Sequence, residues 1–392
     1  MSDAAELSPG RTLWEALGDI PDRRGAKGRR YPLRSVLTLS LAAMLAGGND
    51  LCSIFRWGRR LPPEALYLLG LKRAPCHAMY HYFYKALDVA ATEQVLGAWA
   101  QGSRPLGTVA IDGKRLRGSA PAGHDGSEGV HVVAAFASQL GAVIGQVQVA
   151  PEADEITAAL ALLKSLPLAG AIITGDAAFC QRAVCQGVRD RKGDYLFTVK
   201  ANQPQLMADI ALAFGDAFPP ELIKALGEQA PCDALWDGPP PDLEQACTVE
   251  KGHGRLETRR IATSREVVPH LDWPGVAQVG RIEREREIKG QTSREVAYAV
   301  TSLTREQAGP EALLSLVRGH WAIENQLHWR RDVSLREDAC RVRSGCAPQA
   351  LAALRNTVLR LARALPGPLA AVRETLAENR LDAILLATQG FL

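Results

Sequence analysis

Three carboxylates are the residues best placed to do chemistry in this 392-residue chain. Asp112 closes the apolar run TVAID, and Asp176 closes AIITGD. Glu324 sits far downstream in VRGHWAIENQLHWRRDV, residues 317–333, a segment with helical spacing. A strand that ends in Asp holds its carboxylate rigidly at the edge of a sheet. Leu316, Ile323 and Leu327 share one helical face, and Glu324 lies at its border, where a buried charge needs a partner or a metal. Mg2+ takes hard oxygen ligands, a few carboxylates with phosphate and water completing the shell. Two such ions roughly 3.5–4 Å apart activate a water or a 3′-hydroxyl and stabilise the leaving oxygen. Two aspartates and a glutamate are enough for that phosphodiester chemistry. Each also has an ordinary use. Asp-Gly is a common hairpin turn, Gly-Asp often ends a strand, and Glu324 could pair with Arg331 or another segment. A zinc site through His320 and His328 lacks the HExxH pattern.

The elements that must position these acids can be read from periodicity. Residues 1–100 read as helical. Leu13, Leu17 and Ile20 make a short amphipathic turn, and 33–46 is Leu/Ala-rich with helical spacing. Pro62 and Pro63 start a further helix, and HAMYHYFYKAL, 77–87, is an aromatic amphipathic one. These helices read as a helix-turn-helix or as packing alone. From Gly107 the period changes to TVAID, GVHVVAAFAS and AVIGQVQVA, three β-rich runs, with a helix over 154–166 and the strand AGAIITGDA after them. That order predicts a mixed sheet with a crossover, covered on both faces. DYLFTVK adds a strand. Residues 201–309 read as a β-rich insertion: a loop-rich stretch, 215–247, with Pro239, Pro240 and Pro241 in a row, then the strand-like RLETRRIAT, AQVGRIEREREI and EVAYAVTSL, where the REREI alternation suits an exposed strand. Pro310 opens the Glu324 helix, and the tail, 346–392, reads as two Ala/Leu-rich helices.

Composition sets bounds on function. Apolar residues make up 47% of the chain, so it folds into a core rather than staying disordered. Lys plus Arg is 46 against 43 acids, a net of +3. The basic residues nevertheless cluster at 23–30, after Asp112 (Lys114, Arg115, Arg117) and after Glu324 (Arg330, Arg331, Arg336, Arg341, Arg343), which favours a phosphate-bearing ligand. The eight cysteines form no C-x-x-C pair, so a zinc ribbon is not expected. The polar start MSDAAELSPGR has no signal core. The apolar run at 36–48 is too short to span a bilayer. A reduced cytoplasmic protein is the expectation, without a membrane partner.

These segments together resemble the DDE transposases of bacterial insertion sequences, in the ISAs-type, H-repeat-associated group. The matching stretches are AIDGKRLRGS (110–119), ITGDAAFCQ (173–181), DYLFTVKANQP (194–204), KGHGRLETRR (251–260) and VRGHWAIENQLHWRRDVSLREDACRVR (317–343), with PDRRGAKGRRYPLRSVLTLSLAAMLAGG near the start. The resemblance runs over nearly the whole chain. It implies an α/β fold: a ribonuclease H-like mixed sheet flanked by helices, with a β-rich insertion and an N-terminal all-α domain. The expected domains are 1–103, a helical transposase-associated and DNA-binding domain; 104–345, the catalytic domain with its insertion at about 201–309; and 346–392, a C-terminal helical segment.

Carried over by motif, Asp112, Asp176 and Glu324 are the three metal-binding catalytic acids. Their ion is Mg2+, with Mn2+ as the alternative. The implied activity is cleavage at the element ends, then attack of the freed 3′-hydroxyl on target DNA, with no covalent enzyme intermediate. Implied partners are double-stranded DNA, as terminal inverted repeats and target, and a second copy in a synaptic homodimer on nucleoid DNA. A catalytically silent DNA-binding derivative and a nuclease that does not join strands are the alternatives. Val317, His320 and Arg331 stand where the wider superfamily has Tyr, Arg and Lys. The DNA-contact candidates are Lys114, Arg117, Lys200, Asn202, His253, Arg255, His320, Asn325, His328 and Arg331. Trp321 and Trp329 read as core packing rather than base stacking. Glu337 and Asp338 are the reserve for the third acid.

Overall fold

The computed structural model describes residues 11–390 apart from 124, 126–127, 217–219, 227–241 and 253. The expected proline-run loop and His253 lie outside the described residues. In chain order the first helices are α1 (Leu13–Leu17), α2 (Leu33–Leu45), α3 (Leu51–Gly58), α4 (Pro63–Leu68), α5 (His77–Lys85) and α6 (Val89–Gln101). Then come β1 (Thr108–Arg115), β2 (His131–Ala137), β3 (Ala142–Gln148), α7 (Glu155–Ser165), β4 (Ile172–Gly175), α8 (Arg182–Asp190) and β5 (Asp194–Val199). The insertion holds α9 (Pro204–Ala213), α10 (Pro220–Leu226), β6 (Glu244–Gly252), β7 (Arg255–Ser264), β8 (Gln278–Ile288) and β9 (Gln291–Thr301). The chain ends with α11 (Pro310–His320), α12 (Ala347–Ala362), α13 (Leu369–Glu378) and α14 (Arg380–Gln389).

The chain divides into two units, one of Met1–Leu106, Gly113–Leu166 and Ile323–Leu392, the other of Gly107–Asp112 and Pro167–Ala322. β1 runs from the second into the first, changing over between Asp112 and Gly113.

In the first unit the helices start where the sequence offers caps. Thr12 and Glu15 form a capping box on α1, Asp50 and Ser53 one on α3, and Asp88 and Asp154 cap α6 and α7. Every residue of α2 except Arg34 is buried, as the Leu/Ala-rich run predicts. β3, β2 and β1 lie side by side, with β2 antiparallel to β3. Gly97 is where α6 meets that sheet closely: a Cβ there would stand 2.2 Å from the Ile144 carbonyl oxygen. The tail folds as three helices rather than the expected two, and α12 is buried along nearly all its length.

In the second unit the strand order is β1-β4-β5-β9-β8-β7-β6. β1, β4 and β5 are parallel, as a crossover sheet requires, and β9 then joins β5 antiparallel. The insertion begins with two helices, and its four strands extend the same sheet instead of forming a separate layer. α11 covers this part through a core of Leu196, Ile261, Ile282, Ala299, Leu313 and Leu314. This is the mixed sheet flanked by helices that the ribonuclease H-like reading requires. The REREI strand is less exposed than its charges suggest. Arg284 and Arg286 of that run are half-buried against the buried Glu257 of neighbouring β7, and Glu283 just before it is buried beside Arg260 of β7 and Arg294 of β9, while Glu287 and Ile288 are exposed as expected. No helix among the described residues is long and apolar enough to cross a membrane.

Candidate active site

Asp112 and Asp176 fall in the same unit, on neighbouring parallel strands. Thr108 pairs with Ile172, Val109 with Ile173 and Ala110 with Thr174. The same offset carried two residues on sets Asp112 level with Asp176. β1 continues to Arg115, so Asp112 lies within the strand rather than at its end. Asp176 comes directly after the last residue of β4 and caps a single 3-10 turn, its Oδ1 accepting from the Ala178 amide at 2.9 Å. Gly175 makes room for this: a Cβ there would meet the Phe197 ring at 2.8 Å. The loop after β5 is stitched to the same turn. Asn202 Nδ2 donates to the Ala177 carbonyl at 2.7 Å, and Gln203 Nε2 to Gln181 Oε1 at 2.8 Å. Asn202, expected as a DNA contact, therefore spends its amide on holding the Asp176 turn. Lys200 is exposed. His320, at the end of α11, places Nδ1 3.2 Å from Thr174 Oγ1, two residues before Asp176. Arg255 is exposed on β7, 3.5 Å from Glu257.

The other unit carries Glu324. The expected long helix is broken here. α11 stops at His320, and Ile323–His328 and Arg330–Ser334 are π-helical. A π-turn inserts an extra residue and rotates the rest of the helix, a device frequent at functional sites. Glu324 is half exposed, and its Oε2 lies 3.6 Å from Nδ1 of the buried His328. Burial pushes the His328 pKa down, and neighbouring Arg331 adds to this while Glu324 opposes it. The ring is therefore neutral at neutral pH. Asn325 and Arg117 are exposed, and the Arg117 amide donates to Asp338 Oδ1 at 3.3 Å.

Lys114 is mostly enclosed and bonds Asp332 at 2.6 Å, so its ammonium is already engaged. Gly113 between it and Asp112 leaves room for Glu155, since a Cβ there would meet its Oε1 at 2.3 Å and displace that side chain. Glu155 is in turn bonded to His131 Nε2 at 2.6 Å, and this bond holds its carboxyl below the usual range. Apart from the glycine itself, no local pattern marks that pair.

Burial corrects several expectations, among them His328 as a DNA contact, which is 6% exposed. Arg331 is 0% exposed, and its Nε donates to Glu337 Oε2 at 2.7 Å. Arg355 reaches the other oxygen of Glu337 at 3.2 Å. Burial alone would raise the Glu337 pKa, but the two guanidiniums outweigh it and hold it below the usual range. Arg331 thus has no surface to offer DNA, and Glu337 serves an internal ion cluster instead of standing in as a metal ligand. Trp321 and Trp329, expected in the core, are 57% and 56% exposed.

Comparison with known proteins supplies the family. The chain matches the family described as Transposase DDE domain over residues 103–361 and the one described as DDE_Tnp_1-associated over residues 14–100. It is 29% identical over 372 residues to the Escherichia coli protein named "H repeat-associated putative transposase YhhI", covering 90% of each chain. It is 31% identical over 298 residues to a Xanthobacter autotrophicus protein named for the dhlA 3′ region, covering 73% of this chain and 93% of that one. Among solved structures it aligns with a piggyBac transposase synaptic complex with hairpin DNA at TM-score 0.43 and 9% identity, covering 93% of this chain and 73% of that one.

Proposed function

The chain belongs to the family of transposase DDE domains, and we propose that it cuts DNA at the ends of a mobile element and joins the freed 3′-hydroxyls to target DNA, using Mg2+ or Mn2+. What supports the reading is the β1–β4 register, which pairs Ala110 with Thr174; the same offset carried two residues on brings Asp112 in β1 level with Asp176 just past the end of β4, two hard-oxygen ligands. Chain connectivity supports Glu324 as the third. It lies four residues beyond His320, which contacts Thr174 in the strand of the second acid. Four residues reach at most about 14 Å. Lys114, two residues past Asp112 on the same strand face, is bonded to Asp332, eight residues past Glu324.

In this reading Asp112, Asp176 and Glu324 hold the divalent ions, and neutral His328 steadies the Glu324 carboxylate. When bound, the ions activate the attacking oxygen and stabilise the leaving one. In the first step a water oxygen bonds to phosphorus and the bond to the 3′-oxygen breaks, leaving a 3′-hydroxyl and a 5′-phosphate. In the second, that 3′-hydroxyl attacks a target phosphorus, and the target's own 3′-oxygen leaves with the proton. No side chain becomes covalently linked to DNA. Residues 104–345 form the catalytic domain, 1–103 the associated helical domain and 346–392 a C-terminal segment. A homodimer brings two element ends together, in the bacterial cytoplasm. Lys200, Asn202, Arg255, Asn325 and Arg117 are the candidates on the surface to touch DNA, with His253 as a further one.

The test is a set of Asp112→Asn, Asp176→Asn and Glu324→Gln variants on DNA carrying both element ends. Each should lose Mg2+-dependent cleavage by at least a thousandfold while duplex affinity changes less than threefold. Wild-type-rate cleavage by any one removes that residue from the site. Cleavage with no joined product by the unmodified protein would replace the strand-transfer reading with a nuclease.

A further inference from the structure

Residues 51–87, which hold α3, α4, α5 and their connections, contain six Lys or Arg and one acid, Glu64. That is a net +5, larger than the +3 of the entire chain. The six are Arg56, Arg59, Arg60, Lys72, Arg73 and Lys85, all exposed. Among the described residues none of them has a carboxylate partner. Arginines of the inserted strands are different. Arg259 bonds Glu257 at 2.8 Å, Arg260 bonds Glu283 at 3.2 Å, and Arg281 bonds Asp216 at 2.7 Å. Those charges are answered within the protein, whereas the six of residues 51–87 have no carboxylate partner among the described residues.

Three of these cations, Arg56, Arg59 and Lys85, lie on two rows that meet. Cys52, Arg56 and Arg59 stand at i, i+4 and i+7 on α3. His77, His81 and Lys85 stand at i, i+4 and i+8 on α5. The two rows meet where Cys52 Sγ lies 3.1 Å from His77 Nε2 and the Phe55 and His77 rings are 5.6 Å apart. Arg59 lies over the Phe55 ring at 5.6 Å, and the His77 and His81 rings are 4.7 Å apart. Lys72 and Arg73 precede α5 in the same connection, and Tyr82 is 76% exposed on α5.

We propose that this α3–α5 face binds the phosphate backbone of duplex DNA. The inference rests on DNA being the substrate but adds where the helical domain grips it. The cations are spread along two helices rather than converging on one point, which suits a line of phosphates better than a single small anion. Nine residues of α5 span about 13 Å, over which a duplex presents on the order of eight charges. Backbone contacts of this kind position a protein without reading sequence.

The experiment measures affinity for a 40-base-pair duplex of arbitrary sequence by fluorescence anisotropy from low to high salt. An Arg56→Gln, Arg59→Gln, Lys85→Gln protein should bind at least tenfold more weakly at 0.1 M salt. Its log affinity against log salt should be shallower by about 2 to 3, since each phosphate contact contributes about 0.9. Lys72→Gln with Arg73→Gln should lower the slope independently. Arg260→Gln with Arg294→Gln, in the ion-paired strands, should leave it unchanged. An unchanged slope in both α3–α5 variants, while the unmodified protein binds, overturns the proposal. So does equal competition by polyglutamate and duplex. At saturating DNA the triple variant should keep its cleavage rate. If the unmodified protein binds through this face but never cleaves, the catalytic reading fails and this one stands.

Discussion

Glu93 is a carboxyl shut inside the first unit, accepting from Gln146 Nε2 at 2.7 Å and from Gln349 Nε2 at 2.9 Å. Burial pushes its pKa up to about 7, the two amides opposing it. Between its ordinary value of 4.5 and about 7 the folded protein keeps a proton that the unfolded chain has released. The stability Glu93 contributes is therefore full below 4.5 and lost as pH rises through 7, a fall of about 3 kcal/mol. Thermal melts of a Glu93→Gln protein should lose this fall, gaining on the unmodified protein steadily from pH 4.5 to 7.5; parallel curves would show that Glu93 is ionised throughout. Nothing in the sequence around Glu93 distinguishes it from an ordinary helical surface acid. Its partners lie on β3 and α12, and burial is a property of the packed neighbours. Asp176 was legible for the opposite reason: a Gly-Asp pair at the end of an apolar run is a local signal, and its cap is local too.

At the scale of elements, the segment after Glu324 shows how an internal ion cluster positions a functional one. Glu337 joins Arg331, in the second π-helical stretch, to Arg355 in α12, all three buried. Removing the carboxylate leaves two enclosed cations, a loss of about 3–5 kcal/mol. Glu337→Gln should lower the denaturation midpoint strongly in urea titrations, and a neutral result would mean that water reaches the pair. The helical period around Glu324 was readable, but the π-turns were not, because the extra residue is stabilised by the side chains that pack on the segment. Strand existence was readable in the insertion for β7–β9, but not for β6, whose start at Glu244 lies in a stretch that reads as loop. That these strands extend the main sheet was not, since the β5–β9 pairing joins residues about a hundred positions apart.

For the molecule as a whole, three acids from distant parts of the chain are asked to act as one binding site. A divalent ion that binds only the folded protein should therefore stabilise it. At ten times its dissociation constant the gain is about 1.4 kcal/mol, on the order of 2 °C in a chain of this size. Mn2+ or Mg2+ should raise the melting temperature of the unmodified protein and of a Glu64→Gln control, an exposed acid on α4, but not of Asp112→Asn or Asp176→Asn. An equal rise in all four places the ion elsewhere.

Local chemistry alone determined much of this protein. The apolar periods, the caps, the three acids and the unbalanced charge of residues 51–87 all stand in the residues themselves, because each depends on neighbours within a turn or a strand. Tertiary structure decided which charges remain available. Lys114, Arg331 and Glu337 carry the same functional groups as their exposed counterparts, but Asp332, far along the chain from Lys114, and the mutual pairing of Arg331, Glu337 and Arg355 engage them internally. Desolvation and pairing are set by the fold, and they separate charges left at the surface from an ion cluster that holds the protein together.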